Sequence, residues 1–481
     1  MFNVTLLIDG AARPTARTFE RRHPVTGDVV TTAAAADPAD AVAAADAAAA
    51  AFRTWSRTTP TARRELISRA ADLVKSRADD LVALMMQETG ASQAWSRFNV
   101  RLTENIMREA AAVTTAFAGE VLATDKPDCL SLAVREPLGV CLAIAPWNAP
   151  LILGMRSMIW PLACGNTVVL KASELCPGTH RLLGELLITA GFPRGTVNVV
   201  MNAPQDAASI VSTLIGHKAV RHVNFTGSSH TGRIIAVEAA RHLKPVLLEL
   251  GGKAPLLVLD DADLDVAVRA SAFGAFMHQG QICMSTERVI VDRRVADDFA
   301  DRFAAKARSL TAGDPRTSDA PLGSLIGQDA ADRVDTLIAD AIGKGAKRLS
   351  GGMRQGTIMD ATVLDHVTPA MRIYHEESFG PVACIVRADG DEDAIRIAND
   401  TEYGLSASVY SLNVSRALAV GRRIESGICH INGPTVQDEA PVPFGGVKAS
   451  GYGKFGSVAG INAFTNLRWL TIEGQEPHYP F

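Results

Sequence analysis

From residue 140 onward the chain alternates short apolar runs with amphipathic stretches. The runs at 140–144, 167–170, 196–200, 222–225 and 245–249 have the length and β-branched content of buried strands. Between them, 180–190, 205–215 and 231–241 carry the apolar spacing of helices, the first ending at Gly191. This alternation predicts a parallel sheet covered by helices on both faces. A second α/β stretch begins near Gly251 and runs to about residue 450, its clearest parts being a helix over 263–278 and a strand over 288–291. Upstream, the alanine-rich segment 33–51 reads as a helix, because Asp37-Pro38 supplies an N-cap and a first-turn proline. Thr59-Pro60 opens another helix with Gly90 as its C′ residue, and a third spans 92–117. Two β-like runs, 120–124 and 130–135, flank the polar turn 125–128, and 467–473 reads as a last strand. Neither an internal repeat nor a flexible linker is visible.

The length, 481 residues, allows two or three domains and a large core. The net charge of −4 offers no basic surface for nucleic acid. Seven cysteines are an odd number, scattered, and without metal-ligand spacing, so the expectation is reduced thiols, no metal and a cytoplasmic protein. Residues 1–10 lack a basic region followed by an apolar core, so no signal peptide is expected. The most apolar stretch, 140–160, is interrupted by Pro146, Asn148, Pro150 and Arg156, which argues against a membrane span.

Candidate chemistry centres on Cys283, in Phe276-Met277-His278-Gln279-Gly280-Gln281-Ile282-Cys283. A thiol is mostly protonated at neutral pH and needs a base to attack, and Glu249 in Leu248-Glu249-Leu250-Gly251-Gly252-Lys253 is the candidate. Most cysteines are core residues, and Glu249 alone could be an ion-paired structural group. On the nucleotide side, Phe225-Thr226-Gly227-Ser228-Ser229-His230-Thr231-Gly232 lies between a strand and a helix, where free N–H groups suit a pyrophosphate. It is not G-x-G-x-x-G, and an ordinary glycine turn explains it equally well. Lys171-Ala172-Ser173-Glu174 follows a strand, and a carboxylate there can accept from a ribose diol and repel a 2′-phosphate. A solvated Lys/Glu pair is the commoner meaning of such a tetrapeptide. Asn148, on the proline-rich loop Ala145-Pro146-Trp147-Asn148-Ala149-Pro150, could steady an oxyanion or simply satisfy its own turn.

Together these residues resemble the NAD(P)-dependent aldehyde dehydrogenase superfamily over nearly the whole chain. The resemblance rests on Pro146-Trp147-Asn148, Lys171-Ala172-Ser173-Glu174, Phe225-Thr226-Gly227-Ser228, Leu248-Glu249-Leu250-Gly251-Gly252-Lys253, Gly280-Gln281-Ile282-Cys283, Glu377-Ser378-Phe379-Gly380-Pro381 and Pro443-Phe444-Gly445-Gly446-Val447-Lys448, in the family's order. It implies Cys283 as nucleophile, Glu249 as general base, and Asn148 with the Cys283 N–H as oxyanion hole. NAD is the implied cofactor. Lys171 and Glu174 would hold the adenosine ribose, with Ser228 at the pyrophosphate, Glu377 at the nicotinamide ribose and Phe379 near the nicotinamide, and Gly227, Gly232 and Trp147 would also bind the cofactor. The implied fold is α/β. A Rossmann-type NAD-binding domain takes 1–118 and 138–249, an α/β catalytic domain 250–450, and a small β oligomerisation sheet 119–137 and 451–481. A homodimer or homotetramer is implied, with a small-molecule aldehyde as substrate.

In the family's register, Arg156, Trp95, Ala149, Leu153, Met277, Ile282, Met284 and Phe444 would line the substrate tunnel. A small Ala149 leaves room for a wide substrate, and Trp95 and Phe444 could stack on a ring. Arg156 would want an oxygen partner in an apolar tunnel. An aromatic aldehyde bearing a ring hydroxyl answers both features, and the pattern is most similar to salicylaldehyde dehydrogenases, with vanillin and benzaldehyde dehydrogenases near. Two bland readings compete. Trp95 repeats with Phe98, Leu102 and Ile106 at helical spacing, as core residues do, and Arg156 could pair with a carboxylate and never face substrate. A semialdehyde dehydrogenase using Arg156 for a substrate carboxylate is the alternative enzyme.

Overall fold

The computed structural model describes residues 1–476 and 479–481. Its first large sheet has eight strands, in the order Gly451–Tyr452, Val246–Glu249, Val220–Thr226, Val140–Ile144, Thr167–Lys171, Val197–Val200, Leu6–Ile8, Ala11–Arg13. The five strands from Val246–Glu249 to Val197–Val200 are mutually parallel, and the edges are antiparallel. The predicted alternation is therefore realised. The chain runs outward from Val140–Ile144 in one direction and then returns to add Val220–Thr226 on its other side. That reversal opens a crevice beyond the carboxyl ends of those two strands, where ligands of doubly wound sheets bind.

The second sheet has seven strands, ordered Lys347–Ser350, Thr362–Asp365, Val382–Ala388, Thr286–Asp292, Ala254–Val258, Ser406–Tyr410, Ile428–Ile431. All its pairs are parallel except the first. A three-stranded antiparallel sheet joins Glu120–Leu122 and Cys129–Pro137 to Thr465–Glu473. The tail also reaches the first sheet, where Gly451–Tyr452 pairs with the end of Val246–Glu249.

Two local expectations change, and one helix was unforeseen. The segment expected as one helix up to Gly90 is two, Pro60–Ser76 and Ala78–Thr89. Arg77 leaves helical space between them (φ −103°, ψ 25°), and its Nε donates to Asp80 in the first turn of the second helix. The helix Pro150–Ala163 was not legible, because all its residues are buried and no polar face marks a period. The helix expected over 263–278 stops at Phe276. It stops there because His278, Gln279 and Gly280 all take left-handed backbone (φ 49°, 57°, 69°), turning the chain sharply toward Cys283. Among the described residues no helix is long and apolar enough to cross a membrane.

Candidate active site

The loop after Val140–Ile144 separates two cavities. Ile144, Ala145 and Pro146 line one of about 550 Å³, whereas Asn148 and Ala149 line another of about 610 Å³. Cys283 is half-buried and lies on the wall of the second. Trp95, Ala149, Leu153, Arg156, Met277, Ile282, Met284 and Phe444 line it too, so every residue expected there is present. The walls are largely apolar, as suits an aromatic ring. Trp95 is not merely core.

A closed ring of contacts fixes the amide of Asn148. Its Nδ2 donates to the Gln281 carbonyl at 2.9 Å, two residues before Cys283. An amide nitrogen carries two hydrogens, so one is left for the cavity. Trp95 Nε1 donates to the Asn148 carbonyl at 3.0 Å. The Trp95 ring stacks on His278 at 5.0 Å and 13°. The His278 carbonyl in turn accepts from the Gln281 backbone N–H (3.1 Å) and side chain (3.3 Å). Burial lowers the His278 ring to about 3, so it stacks as a neutral ring.

Glu249 ends the strand Val246–Glu249 and is 1% exposed, and neither carboxylate oxygen has a hydrogen-bond partner. Burial pushes its carboxyl up to about 8; Arg156 opposes the rise and Asp438 adds to it. Burial also holds the Cys283 thiol well above its ordinary value, and the Glu249, Glu377 and Asp438 carboxylates reinforce this. The resting site is therefore a thiol beside a largely protonated acid.

The Gly251-Gly252 pair exists for close approach. A Cβ on Gly252 would lie 2.3 Å from the Cys283 carbonyl oxygen, and one on Gly251 would lie 2.6 Å from Glu377 Oε2. The Gly252 N–H donates to Glu377 Oε1 at 3.0 Å. Burial raises the Glu377 carboxyl to about 7, with Glu287 adding to the rise. Lys253 forms a buried ion pair with Glu287, whose carboxylate also accepts from Ser378 N (2.7 Å) and Phe379 N (3.2 Å). Three motifs distant in sequence are thereby tied together. Phe379 in turn meets Trp147 edge-to-face at 5.8 Å.

The 550 Å³ cavity has the makings of an adenosine site. Pro146, Val211, Ile215 and Ile235 supply apolar walls, and Lys171 and Glu174 form an ion pair at its edge. Glu174 also accepts from Asn202 Nδ2 at 2.8 Å. Gly227 and Thr231 line it at the start of the helix Ser229–Arg241. Ser228 caps that helix by accepting from the Thr231 N–H at 3.2 Å. Gly232 was expected to bind the cofactor but is not on the cavity wall. It lets the helix pack on Leu250, whose Cδ2 would sit 2.5 Å from an added Cβ.

One residue of consequence went unforeseen. Asp438 lines the 610 Å³ cavity and accepts from Arg156 Nη2 at 2.7 Å, with both side chains nearly buried. In the sequence it sits in Gln437-Asp438-Glu439, which reads as an ordinary polar loop, and nothing local marks it. Arg156 does pair with a carboxylate, as the bland reading held, and it also faces the cavity.

Comparison with known proteins agrees with this geometry. The model of the aldehyde dehydrogenase family matches residues 12–470. A vanillin dehydrogenase of Pseudomonas sp. strain HR199 is 57% identical over 482 residues, covering 100% of both chains. A salicylaldehyde dehydrogenase of Pseudomonas putida is 49% identical over 97% of this chain and 96% of its own. The crystal structure of a salicylaldehyde dehydrogenase from Pseudomonas putida G7, complexed with salicylaldehyde, superposes with a TM-score of 0.98 at 48% identity and 100% coverage of both chains. The chain has the aldehyde dehydrogenase fold and belongs to the aldehyde dehydrogenase family of oxidoreductases.

Proposed function

We propose that the protein oxidises a hydroxylated aromatic aldehyde to its carboxylate with NAD, in the cytoplasm. The observation that carries this reading is the 610 Å³ cavity, in which Cys283 and Asn148 share walls with Trp95, Phe444 and the Arg156–Asp438 pair. Salicylaldehyde is the first candidate on the pattern of the cavity, and vanillin is the second on the identity of the relatives.

The eight-stranded sheet, the seven-stranded sheet and the antiparallel sheet containing Thr465–Glu473 would take the nucleotide-binding, catalytic and bridging roles. Glu174 supports NAD over NADP, because a fixed carboxylate repels a 2′-phosphate. Seven free cysteines support a reducing compartment. The sheet containing Thr465–Glu473 exposes Leu467 and Trp469 on one face and Val121, Leu130 and Ile472 on the other, apolar surface that supports a homodimer or homotetramer.

The ionised form of Glu249 takes the Cys283 proton and releases it to solvent before its second task, and the thiolate attacks the formyl carbon. Asn148 Nδ2 and the Cys283 N–H steady the resulting oxyanion. Bound NAD supplies the acceptor for the hydride expelled as the carbonyl re-forms, leaving an acyl-thioester on Cys283. Glu249 then takes a proton from water, whose oxygen displaces the sulfur and releases the acid. Glu377, Phe379 and Trp147 would hold the nicotinamide end, and Lys171, Glu174 and Gly227 the adenosine end.

The semialdehyde alternative loses support from the same pair. Asp438 already neutralises Arg156, and a substrate carboxylate would enter beside Asp438 and Glu439. A screen of NADH formation across benzaldehyde, salicylaldehyde, vanillin, succinic semialdehyde and an aliphatic aldehyde tests the reading. Aromatic aldehydes should lead in kcat/KM, and a lead by succinic semialdehyde would refute it.

The ring of contacts around Asn148 makes a graded prediction. Asn148→Ala should lower kcat by about 10²–10³. Trp95→Phe keeps a ring but removes the N–H that anchors the Asn148 backbone, and should lower kcat by about tenfold for aliphatic and aromatic aldehydes alike. Were Trp95 only a substrate wall, the loss would fall on KM and on aromatic substrates.

A further inference from the structure

We propose that Arg156 and Asp438 form a single subsite for a neutral ring hydroxyl, Arg156 donating a hydrogen bond to its oxygen and Asp438 accepting one from its O–H. The proposal rests on the reading of the site as one for aromatic aldehydes and specifies the substituent it recognises.

Each partner uses only half of its capacity. Arg156 Nη2 and Asp438 Oδ2 are bonded to each other, while Arg156 Nη1 and Asp438 Oδ1 are buried without any partner. Both residues line the cavity that contains Cys283. The guanidinium lies over the Phe444 ring at 4.7 Å, which fixes its plane. It projects from a wholly buried helix, Pro150–Ala163, so it cannot swing out to water. The result is a fixed donor and a fixed acceptor presented by one ion pair, a pattern complementary to a group that both accepts and donates.

A phenolic hydroxyl is such a group. A methyl ether or a carboxylate only accepts, so either leaves Oδ1 unpaired, and a carboxylate also sets two anions together. A ring C–H satisfies neither atom. The pair therefore favours a hydroxylated ring over its ether, its unsubstituted parent and any carboxylate-tipped aldehyde of similar reach.

The test is a substrate series run on the full enzyme with NAD. It takes kcat/KM for benzaldehyde, the three hydroxybenzaldehydes and the three methoxybenzaldehydes. At least one hydroxy isomer should exceed both its methyl ether and benzaldehyde by about tenfold to a hundredfold, the value of a hydrogen bond to a charged partner. In the Arg156→Met/Asp438→Leu double variant, which exchanges a buried ion pair for apolar groups of similar size, that ratio should collapse to within about threefold. Using ratios cancels any general loss of activity. A preference that survives in the double variant, or no hydroxyl preference in the wild type, overturns the subsite. Failure of the wild type to oxidise any of the seven aldehydes would instead overturn the proposed function. If the double variant does not fold, Asp438→Asn decides. It leaves Arg156 uncompensated and should raise kcat/KM for at least one of the three carboxybenzaldehydes relative to benzaldehyde by about tenfold, and no rise for any of them overturns the subsite.

Discussion

Cys283→Ser is expected to lower aldehyde-dependent NADH formation by about 10⁴-fold or more, the scale on which loss of a nucleophile acts. An oxygen in place of sulfur is far less acidic, and the site opposes ionisation of whatever stands there. Burial and the carboxylates of Glu249, Glu377 and Asp438 all press against a negative charge at this position. The fold should not suffer, because the side chain lines a cavity and forms no polar contact among the described residues. Steady-state NADH production, alongside thermal unfolding of the same sample, checks both halves. Full-speed turnover in the serine variant would remove the thioester from the mechanism.

The second large effect concerns Glu249. A base works only when deprotonated, so with a carboxyl at about 8 the wild-type kcat should climb with pH and level off above that value. Glu249→Gln should abolish this limb and lower the plateau by about 10²–10⁴. An intact limb in the variant would assign the base to another group. Stability should move in the opposite direction. The folded carboxyl titrates near 8 and the ordinary one near 4.5, so between these values the folded chain holds a proton that the unfolded chain has released. Stability contributed by this group is therefore fully present below about pH 4.5 and is lost as pH rises through 8, by up to about 1.4 kcal/mol per pH unit. Glu377, raised to about 7, acts in the same sense over a narrower window. Chemical denaturation at pH 6 and pH 8 should show a smaller loss in Glu249→Gln than in the wild type.

These expectations explain why the site keeps two buried carboxyl groups that cost stability. The unpartnered oxygens of Glu249 and the raised carboxyl of Glu377 flank the Gly251-Gly252 turn, where the backbone of Cys283 comes closest. A side chain on Gly251 would displace Glu377, and one on Gly252 would displace the Cys283 carbonyl. Strain in the left-handed turn at His278–Gly280 belongs to the same arrangement, since it aims Cys283 into the cavity while leaving the His278 ring under Trp95.

Local pattern alone determined the alternating strands and helices of the first sheet, the helix starts at Asp37 and Thr59, and the motifs bearing Cys283, Glu249 and Asn148. Each of these depends on residues within a few positions of one another, the range over which periodicity and turn chemistry act. The helix Pro150–Ala163 escaped because complete burial erases the polar face that periodicity needs. Only the tertiary structure decided that Arg156 meets Asp438 across 282 positions, that Trp95 anchors Asn148 across 53, and that Gly232 packs against Leu250. Contacts of that span depend on how the sheets and buried helices stack, and a short polar loop such as Gln437-Asp438-Glu439 carries no local trace of the cavity it closes.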